Sequence, residues 1–329
     1  VTANKELIAK CGVDIQRAAD KAGVDFLFEG SVGGGIPLIK PLRESLAGNN
    51  MSELIGIVNG TTNYILTSMA REGRTFGEVL AEAQRLGFAE TDPSADVDAF
   101  DAVYKLAILA DVAFGVRVRV DDIYREGIRG VSARDIDYAT ELGYVIKLVA
   151  VARHCDDGAL ELRVHPALLP ISHPLASVSD SFNAVMATGD AVGEVMFYGR
   201  GAGSDPTGSA VVGDLIEAAR NIRSGQKCLV RHEPLHATAI CKFDDIVTRF
   251  CVRMQVADQP GALAQIAAVF GKHSISLESV LQKSSDDHSA EIFWMTHRCP
   301  QRAMNASLQD FDGMSTVNEV SSVLRVEGD

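Results

Sequence analysis

"RFCVRMQVADQPGALAQIAAVFGKHSISLESVLQ", residues 249–282, alternates apolar and polar side chains, with Phe250, Val252, Met254 and Val256 on one face. It then turns at Asp258-Gln259-Pro260-Gly261 and repeats apolar residues at helical spacing, at Leu263, Ile266, Ala267 and Phe270. A period of two that gives way to a period of 3.6 predicts a strand and the helix that packs on it. "ISLESVLQ" (275–282) and "AEIFWMTHR" (290–298) continue as strands, "PQRAMNASLQDF" (300–311) as a helix and "SVLRVEG" (322–328) as a closing strand. The order is βαββαβ, which sets residues 249–329 apart as a small module, with Trp294 packed from a strand against a helix.

Upstream the pattern is also α/β. Residues 1–32 read as a loop, a helix of roughly two to three turns, and a short apolar strand at Phe26 to Phe28 that runs into glycines, like the last β-α-β step of a parallel sheet. "MSELIGIVNGTTNYIL" (51–66) gives a strand, a turn at Asn59-Gly60 and a helix capped by Thr61 or Thr62. The helix "TFGEVLAEAQRLG" (75–87) stops at Gly87. Strands and helices alternate to about residue 200, where a glycine loop precedes a long helix with Asp205 as N-cap and Pro206 in the first helical position. Residues 222–248 read as a linker.

At 329 residues, 47% of them hydrophobic, the chain can bury more than one core and is expected to be a multi-domain globular protein. A net charge of -13 with no basic cluster repels phosphate backbones, which argues against nucleic acid as a partner. The six cysteines (Cys11, Cys155, Cys228, Cys241, Cys251, Cys299) show no CxxC pair and no zinc-ligand spacing, as expected of reduced thiols in a cytoplasm. The longest apolar runs are too short for a membrane span. His165, His173 and His273 sit beside prolines or helix ends and are expected in loops or at the surface.

The densest chemistry lies in "GFAETDPSADVDAFDAVYKLAILA" (87–110), which sets Glu90, Asp92, Asp96, Asp98 and Asp101 ahead of Lys105 at the mouth of a very apolar helix. Asp101 and Lys105 are four apart and share a helix face, with Asp98 near it. Three readings are open here. The stretch is an ordinary helix ion pair with carboxylates favoured at a helix N-terminus; or a pocket in which Glu90 and Asp101 hold a substrate cation and Lys105 relays a proton; or a divalent-metal site, although the regular spacing and central glycine of a calcium loop are missing. "EGSVGGGIPLIK" (29–40) either brings backbone close to a ligand or cation, or is simply a tight strand-to-helix turn. "GRGAGSDP" (199–206) can cradle an anion at a helix N-terminus, but it is not a dinucleotide fingerprint.

Taken together, "VTANK", "FEGSVGGGIPLI", "GIVNGTTNYIL", the 87–110 stretch and "YGRGAGSDPTGSAVVGDL" resemble homoserine dehydrogenase of the monofunctional bacterial type, in order and over nearly the whole chain. Residues 249–327 resemble the ACT domain, a ferredoxin-like amino-acid-sensing module. The resemblance implies an α/β protein with a mixed-sheet catalytic domain. Residues 1–26 would end a nucleotide-binding domain, 27–208 form the catalytic and dimerisation domain, 209–248 a returning helix and linker, and 249–329 the ACT domain.

It further implies NAD(P)-dependent interconversion of L-homoserine and L-aspartate 4-semialdehyde on the route to threonine, methionine and isoleucine, in a cytoplasmic homodimer or tetramer. By position, Lys105 is the proton donor, Glu90 and Asp101 bind substrate, and Lys5, Gly87, Gly201 and Gly203 lie near the NAD or NADP. A sodium-like monovalent cation is held by the Glu29 main chain and the carbonyls of Val32, Gly34 and Ile36. Asp258, Pro260, Gly261, Ala262 and Leu263 face an amino-acid effector, with threonine the first candidate. The Rossmann half that opens the family is mostly missing from the sequence as given, so this polypeptide is expected not to turn over alone. The alternative is an isolated amino-acid-binding and dimerisation fragment without catalytic activity.

Overall fold

A computed structural model describes residues 1–155, 157–226, 238–284 and 289–328. Cys228 and the middle of the expected linker lie outside them. The chain divides into two compact units, one of Val1–Arg129, Lys147–His165 and Pro174–Ile240, the other of Gly130–Ile146, Pro166–His173 and Cys241–Asp329. In chain order the elements are α1 (Lys5–Ala22), β1 (Met51–Ile57), α2 (Gly60–Glu72), α3 (Phe76–Arg85), α4 (Ser94–Val97), α5 (Phe100–Phe114), β2 (Tyr124–Arg125), α6 (Ala133–Glu141), β3 (Tyr144–His154) and β4 (Leu160–Pro170). They continue with β5 (Phe182–Gly189), β6 (Gly193–Arg200), α7 (Ser204–Ser224), β7 (Val247–Ala257), α8 (Ala262–Lys272), β8 (Leu277–Ser284), β9 (Ser289–Thr296), β10 (Cys299–Pro300), α9 (Gln301–Phe311) and β11 (Val317–Val326).

The sheet of the first unit runs β6-β5-β1-β3-β4, with β2 parallel to β4 and β1 antiparallel to both β3 and β5. The central strand β1 is buried from Leu54 to Ile57, as expected of a strand covered on both faces. Helix α5 is apolar almost all round and buries Ala102, Val103 and Leu106 to Ala110. Such a helix belongs in a core, so a lysine within it is carried inside. The second unit has the order β11-β7-β9-β8, and β11 also pairs in parallel with Ala167 and Leu168. Its core joins Phe250, Val252 and Met254 of β7 to Ile266 and Phe270 of α8, and Trp294 of β9 lies 5.5 Å from the Phe270 ring. The βαββαβ order is therefore as the sequence predicts, with the short β10 added.

Several local expectations are corrected. α1 has 18 residues, because Ile8, Val13, Gln16 and Ala19 keep helical spacing through Gly12. No strand ladder forms at Phe26 to Phe28 among the described residues; the Leu27 carbonyl accepts one bond, from Thr2 N at 3.0 Å. α2 is capped by Asn59, whose Oδ1 accepts from Thr62 N at 2.8 Å, rather than by either threonine. α7 starts after Gly203, not at Asp205. His165 is fully buried inside β4, 3.1 Å from the Arg163 guanidinium, because "VHPALLP" is a strand interior rather than a loop.

Lys147 of β3 is buried, and its ammonium donates to Val178 O at 2.6 Å and to Asn63 Oδ1 at 3.1 Å. Burial pushes its pKa down to about 8, against the attraction of Asp180. From there up to the ordinary lysine value the unfolded chain binds a proton that the folded chain does not, so stability rises with pH across that window. The rise is on the order of 3 kcal/mol. Lys147→Met is expected to flatten it, as checked by urea titrations between pH 7.5 and roughly 10.5; a parent protein whose stability falls over this range would contradict the assignment.

Candidate active site

The acidic entrance sorts into distinct jobs. Asp98 turns to the surface and pairs with Arg129 at 2.6 Å, so it does not share the lysine face as expected. Asp92 accepts from Ser94 N and Oγ at 3.1 and 2.6 Å and ties the loop before α4. Asp101 is buried on the first turn of α5, and Lys105 lies one turn later on the same face. Asp101 Oδ2 is 2.8 Å from Lys105 Nζ and accepts from Asn59 Nδ2 at 2.9 Å, while Oδ1 is 2.8 Å from Lys5 Nζ. Asn59 Nδ2 also donates to Asp96 Oδ1 at 2.7 Å. One asparagine thus caps α2 and aligns two carboxylates.

Burial alone would raise the Asp101 pKa, but the ammonium groups of Lys105 and Lys5 hold it down to about 2. Asp96 is held above the usual carboxylate range, first by burial and then by the Asp101 charge. Burial works against the Lys5 charge, yet Asp101, with Asp96 and Glu90 farther off, keeps its pKa above the ordinary lysine value. Lys105 also donates to Val58 O at 2.7 Å, so among the described residues two of its three donors are engaged and one remains for the space in front of it.

That space is a cleft of about 650 Å³. Lys5, Asp96, Asp101 and Lys105 line one side and the N-terminus of α2 (Asn59, Gly60, Thr61) another, with Gly87, Ser181, Arg200 and the Gly201 to Gly203 loop around them. The Lys105, Asp101, Lys5, Gly87, Gly201 and Gly203 expectations thus converge on one cavity. Glu90 is exposed beyond the lining; its carbonyl accepts from Gln84 Nε2 at 3.0 Å, and its charge is still felt at Lys5. The sequence does not show Asn59 as the donor to both carboxylates, and it offers no place in the cleft for Asp96, Arg200 or Thr61, the last of which reads only as a helix cap. In the sequence the Asn-Gly pair reads only as a turn. Among the described residues the entrance carboxylates do not gather into a group of three metal-type ligands.

The glycine loop at 29–36 forms the far wall. The Glu29 carboxylate accepts from Leu38 N, Ile39 N and Lys40 N at 2.6, 2.9 and 2.8 Å, and Glu29 N donates to Asp214 Oδ2 at 3.0 Å. The side chain of Glu29 therefore shapes the loop. Val32, Gly34 and Ile36 are buried, and their carbonyls take no backbone N–H among the described residues. Gly34 has φ +55°, and a Cβ there would stand 2.7 Å from the Gly201 carbonyl. Gly34→Val is expected to destabilise by roughly 1–3 kcal/mol and to raise KM for the cofactor, checked by thermal melting and initial rates.

In the second unit, Asp258, Pro260 and Gly261 are exposed in the turn before α8, with Gly261 at φ +89°, while Ala262 is buried and Leu263 exposed. Cys11, Cys155, Cys241, Cys251 and Cys299 are in no disulfide. Among the described residues no helix is long and apolar enough to cross a membrane.

Comparison with known proteins places this geometry. The homoserine dehydrogenase family model matches residues 37–216 and the ACT domain model residues 252–303. A homoserine dehydrogenase of Synechocystis is 49% identical over 99% of this chain and 77% of its own length. The crystal structure of a homoserine dehydrogenase from Thiobacillus denitrificans superposes with TM-score 0.94 at 41% identity, over 99% of this chain and 75% of that one. A hyperthermophilic archaeal homoserine dehydrogenase mutant in complex with NADPH has TM-score 0.58 at 35% identity, over 67% of this chain and 64% of that one. Since the catalytic model takes in α2, α5 and the Gly201 loop, a regulatory fragment without catalysis is not favoured. The chain belongs to the homoserine dehydrogenase family, NAD(P)-dependent oxidoreductases of amino-acid biosynthesis, and carries an ACT domain after its catalytic part.

Proposed function

We propose that the cleft interconverts L-homoserine and L-aspartate 4-semialdehyde, with Lys105 as the group that gives up or takes back the proton on the substrate oxygen. The observation that carries this is the buried Lys105 ammonium, bound to Asp101 and Val58 O with one donor left for the cleft. In the direction of reduction a nicotinamide cofactor, when bound on the Gly201 to Gly203 side, would supply the hydride that the aldehyde carbon takes up. The developing alkoxide takes a proton from Lys105, which solvent then restores. Glu90 and Asp101 are the substrate-binding carboxylates of this reading. Asp101 acts largely by fixing Lys105 and Lys5, since both its oxygens are engaged; Glu90 at the rim attracts the substrate ammonium. Lys5, Gly87, Gly201 and Gly203 hold the cofactor side, for which NADP and NAD are both candidates.

The buried, amide-free carbonyls of Val32, Gly34 and Ile36 suit a monovalent cation such as sodium, completed by the Glu29 main chain. Its part would be to stiffen the loop beside Gly201. Residues 27–208 are assigned to catalysis and dimerisation, 209–248 to the returning helix and linker, and 249–329 to regulation. Asp258, Pro260, Gly261, Ala262 and Leu263 form the effector contact, for which threonine is the candidate, in a cytoplasmic dimer or tetramer. The test, run with a complete nucleotide-binding domain joined ahead of these residues, is the initial rate of NADP and NAD reduction by L-homoserine, repeated with choline in place of sodium and with added threonine. Turnover that needs L-homoserine, slows without sodium and saturates with threonine supports the whole reading. Absence of homoserine-dependent reduction with either cofactor overturns it.

A further inference from the structure

Directly behind the cleft, Asn183 of β5 is 1% exposed, and among the described residues neither its Nδ2 nor its Oδ1 has a hydrogen-bond partner. A buried amide with all its capacity unused is a costly group to keep. Its position is specific. It lies against two backbone positions of the cleft wall, Gly60 at the start of α2 and Gly201. A Cβ at Gly201 would run into the Asn183 amide, and one at Gly60 would lie 3.4 Å from its Oδ1. Only glycine at 201 leaves room for the side chain, and the amide offers donors and an acceptor together to peptides that approach so closely. An apolar residue at this strand position would satisfy the core equally well without leaving polar atoms unpaired, so packing does not account for the asparagine.

We infer that Asn183 is a positioning residue for hydride transfer, whose amide finds its partners only when the cleft is filled and then fixes the Gly201 to Gly203 backbone against the bound nicotinamide cofactor. The inference rests on the reading that Gly201 and Gly203 face that cofactor. The exchange is local: α2 on one side and β5 on the other are held by their own ladders and cap, so the loop is the part that adjusts.

The test compares Asn183→Leu, which keeps the branching and removes both polar atoms, with Asn183→Ala, which adds no bulk. Three quantities are measured on the enzyme: Tm without ligand, the rise in Tm on adding NADPH, and kcat with KM for NADP and for L-homoserine. The expected result is a Tm of the free Leu variant equal to the parent's or higher by roughly 2–4 °C. Both variants show a smaller NADPH-induced rise and a kcat lower by roughly 10- to 100-fold, with KM for L-homoserine little changed. A fall in free Tm in both variants with an undiminished NADPH response makes Asn183 a structural residue and overturns the inference. So does unchanged kcat in both. Gly203→Ala separates the underlying reading: if it leaves KM for NADP untouched, the loop does not face the cofactor; if it raises that KM while the Asn183 variants behave as the parent, only the role of Asn183 fails.

Discussion

Lys105→Ala lowers kcat for homoserine-dependent NADP reduction by roughly 10²- to 10⁴-fold, the range in which a positioned proton donor or acceptor acts. KM for L-homoserine changes far less, because in the proposed reading the substrate's ammonium is met by Glu90 rather than by this lysine. The fold tolerates the change: Asp101 retains Lys5 at 2.8 Å and Asn59 Nδ2 at 2.9 Å, so no buried carboxylate is left without a partner. Lys105→Arg does not restore the rate. A guanidinium does not release a proton near neutral pH, and its planar fork does not fit a space shaped by the Val58 carbonyl and Asp101. The measurement is a pair of initial-rate series on parent and variants, with circular dichroism melts to show that each is folded. A folded Lys105→Ala enzyme with kcat within about threefold of the parent would return Asp101 and Lys105 to a structural ion pair, since general acid–base catalysis contributes at least two orders of magnitude.

Whether this chemistry can be read from sequence depends on how local its cause is. The four-residue spacing of Asp101 and Lys105 puts them on one face before any coordinates are known, and the apolar residues around them predict that the face is buried. The βαββαβ module is legible for the same reason, because its period changes at each turn. Asn59 is legible only as punctuation: Asn-Gly signals a turn, and nothing in the sequence says that 37 and 42 residues later two carboxylates will return to its amide. Lys147 and Asn183 are harder still. Each is a polar residue in a strand, where alternation assigns it to a solvent face, but β3 and β5 are covered on both faces over most of their length. The full length of α1 is also not legible, since Gly12 is unfavourable in a helix by propensity and is accommodated here in a buried position where a Cβ would lie 3.2 Å from Ile8. Contacts far apart in sequence decide these cases, and a single chain does not display them.

Asp101→Asn has the largest expected effect on stability. The parent carboxylate pairs with two lysines at once, and the variant leaves the Lys105 ammonium, 8% exposed, with only neutral partners. Removing one member of a buried ion pair costs about 3–5 kcal/mol. Most of that falls on Lys105, because the Lys5 side chain is 42% exposed and water screens it. The pH dependence gives an independent check. A carboxylate whose folded pKa is about 2 lies below its unfolded value, so its contribution is complete above the unfolded pKa and is lost as pH falls toward 2. That contribution is on the order of 2 kcal/mol. Urea titrations of the parent between pH 6 and roughly 2.5 are expected to show this acid-side loss, and Asp101→Asn to start lower and lose correspondingly less. Because the same residue fixes both lysines, the variant also loses activity in the folded state, by at least as much as Lys105→Ala if Lys5 contributes to cofactor binding. A variant as stable as the parent, with the same acid slope, would mean that Asp101 is not the anchor of the two lysines, and the cleft would have to owe its order to Asn59 and Asp96 instead.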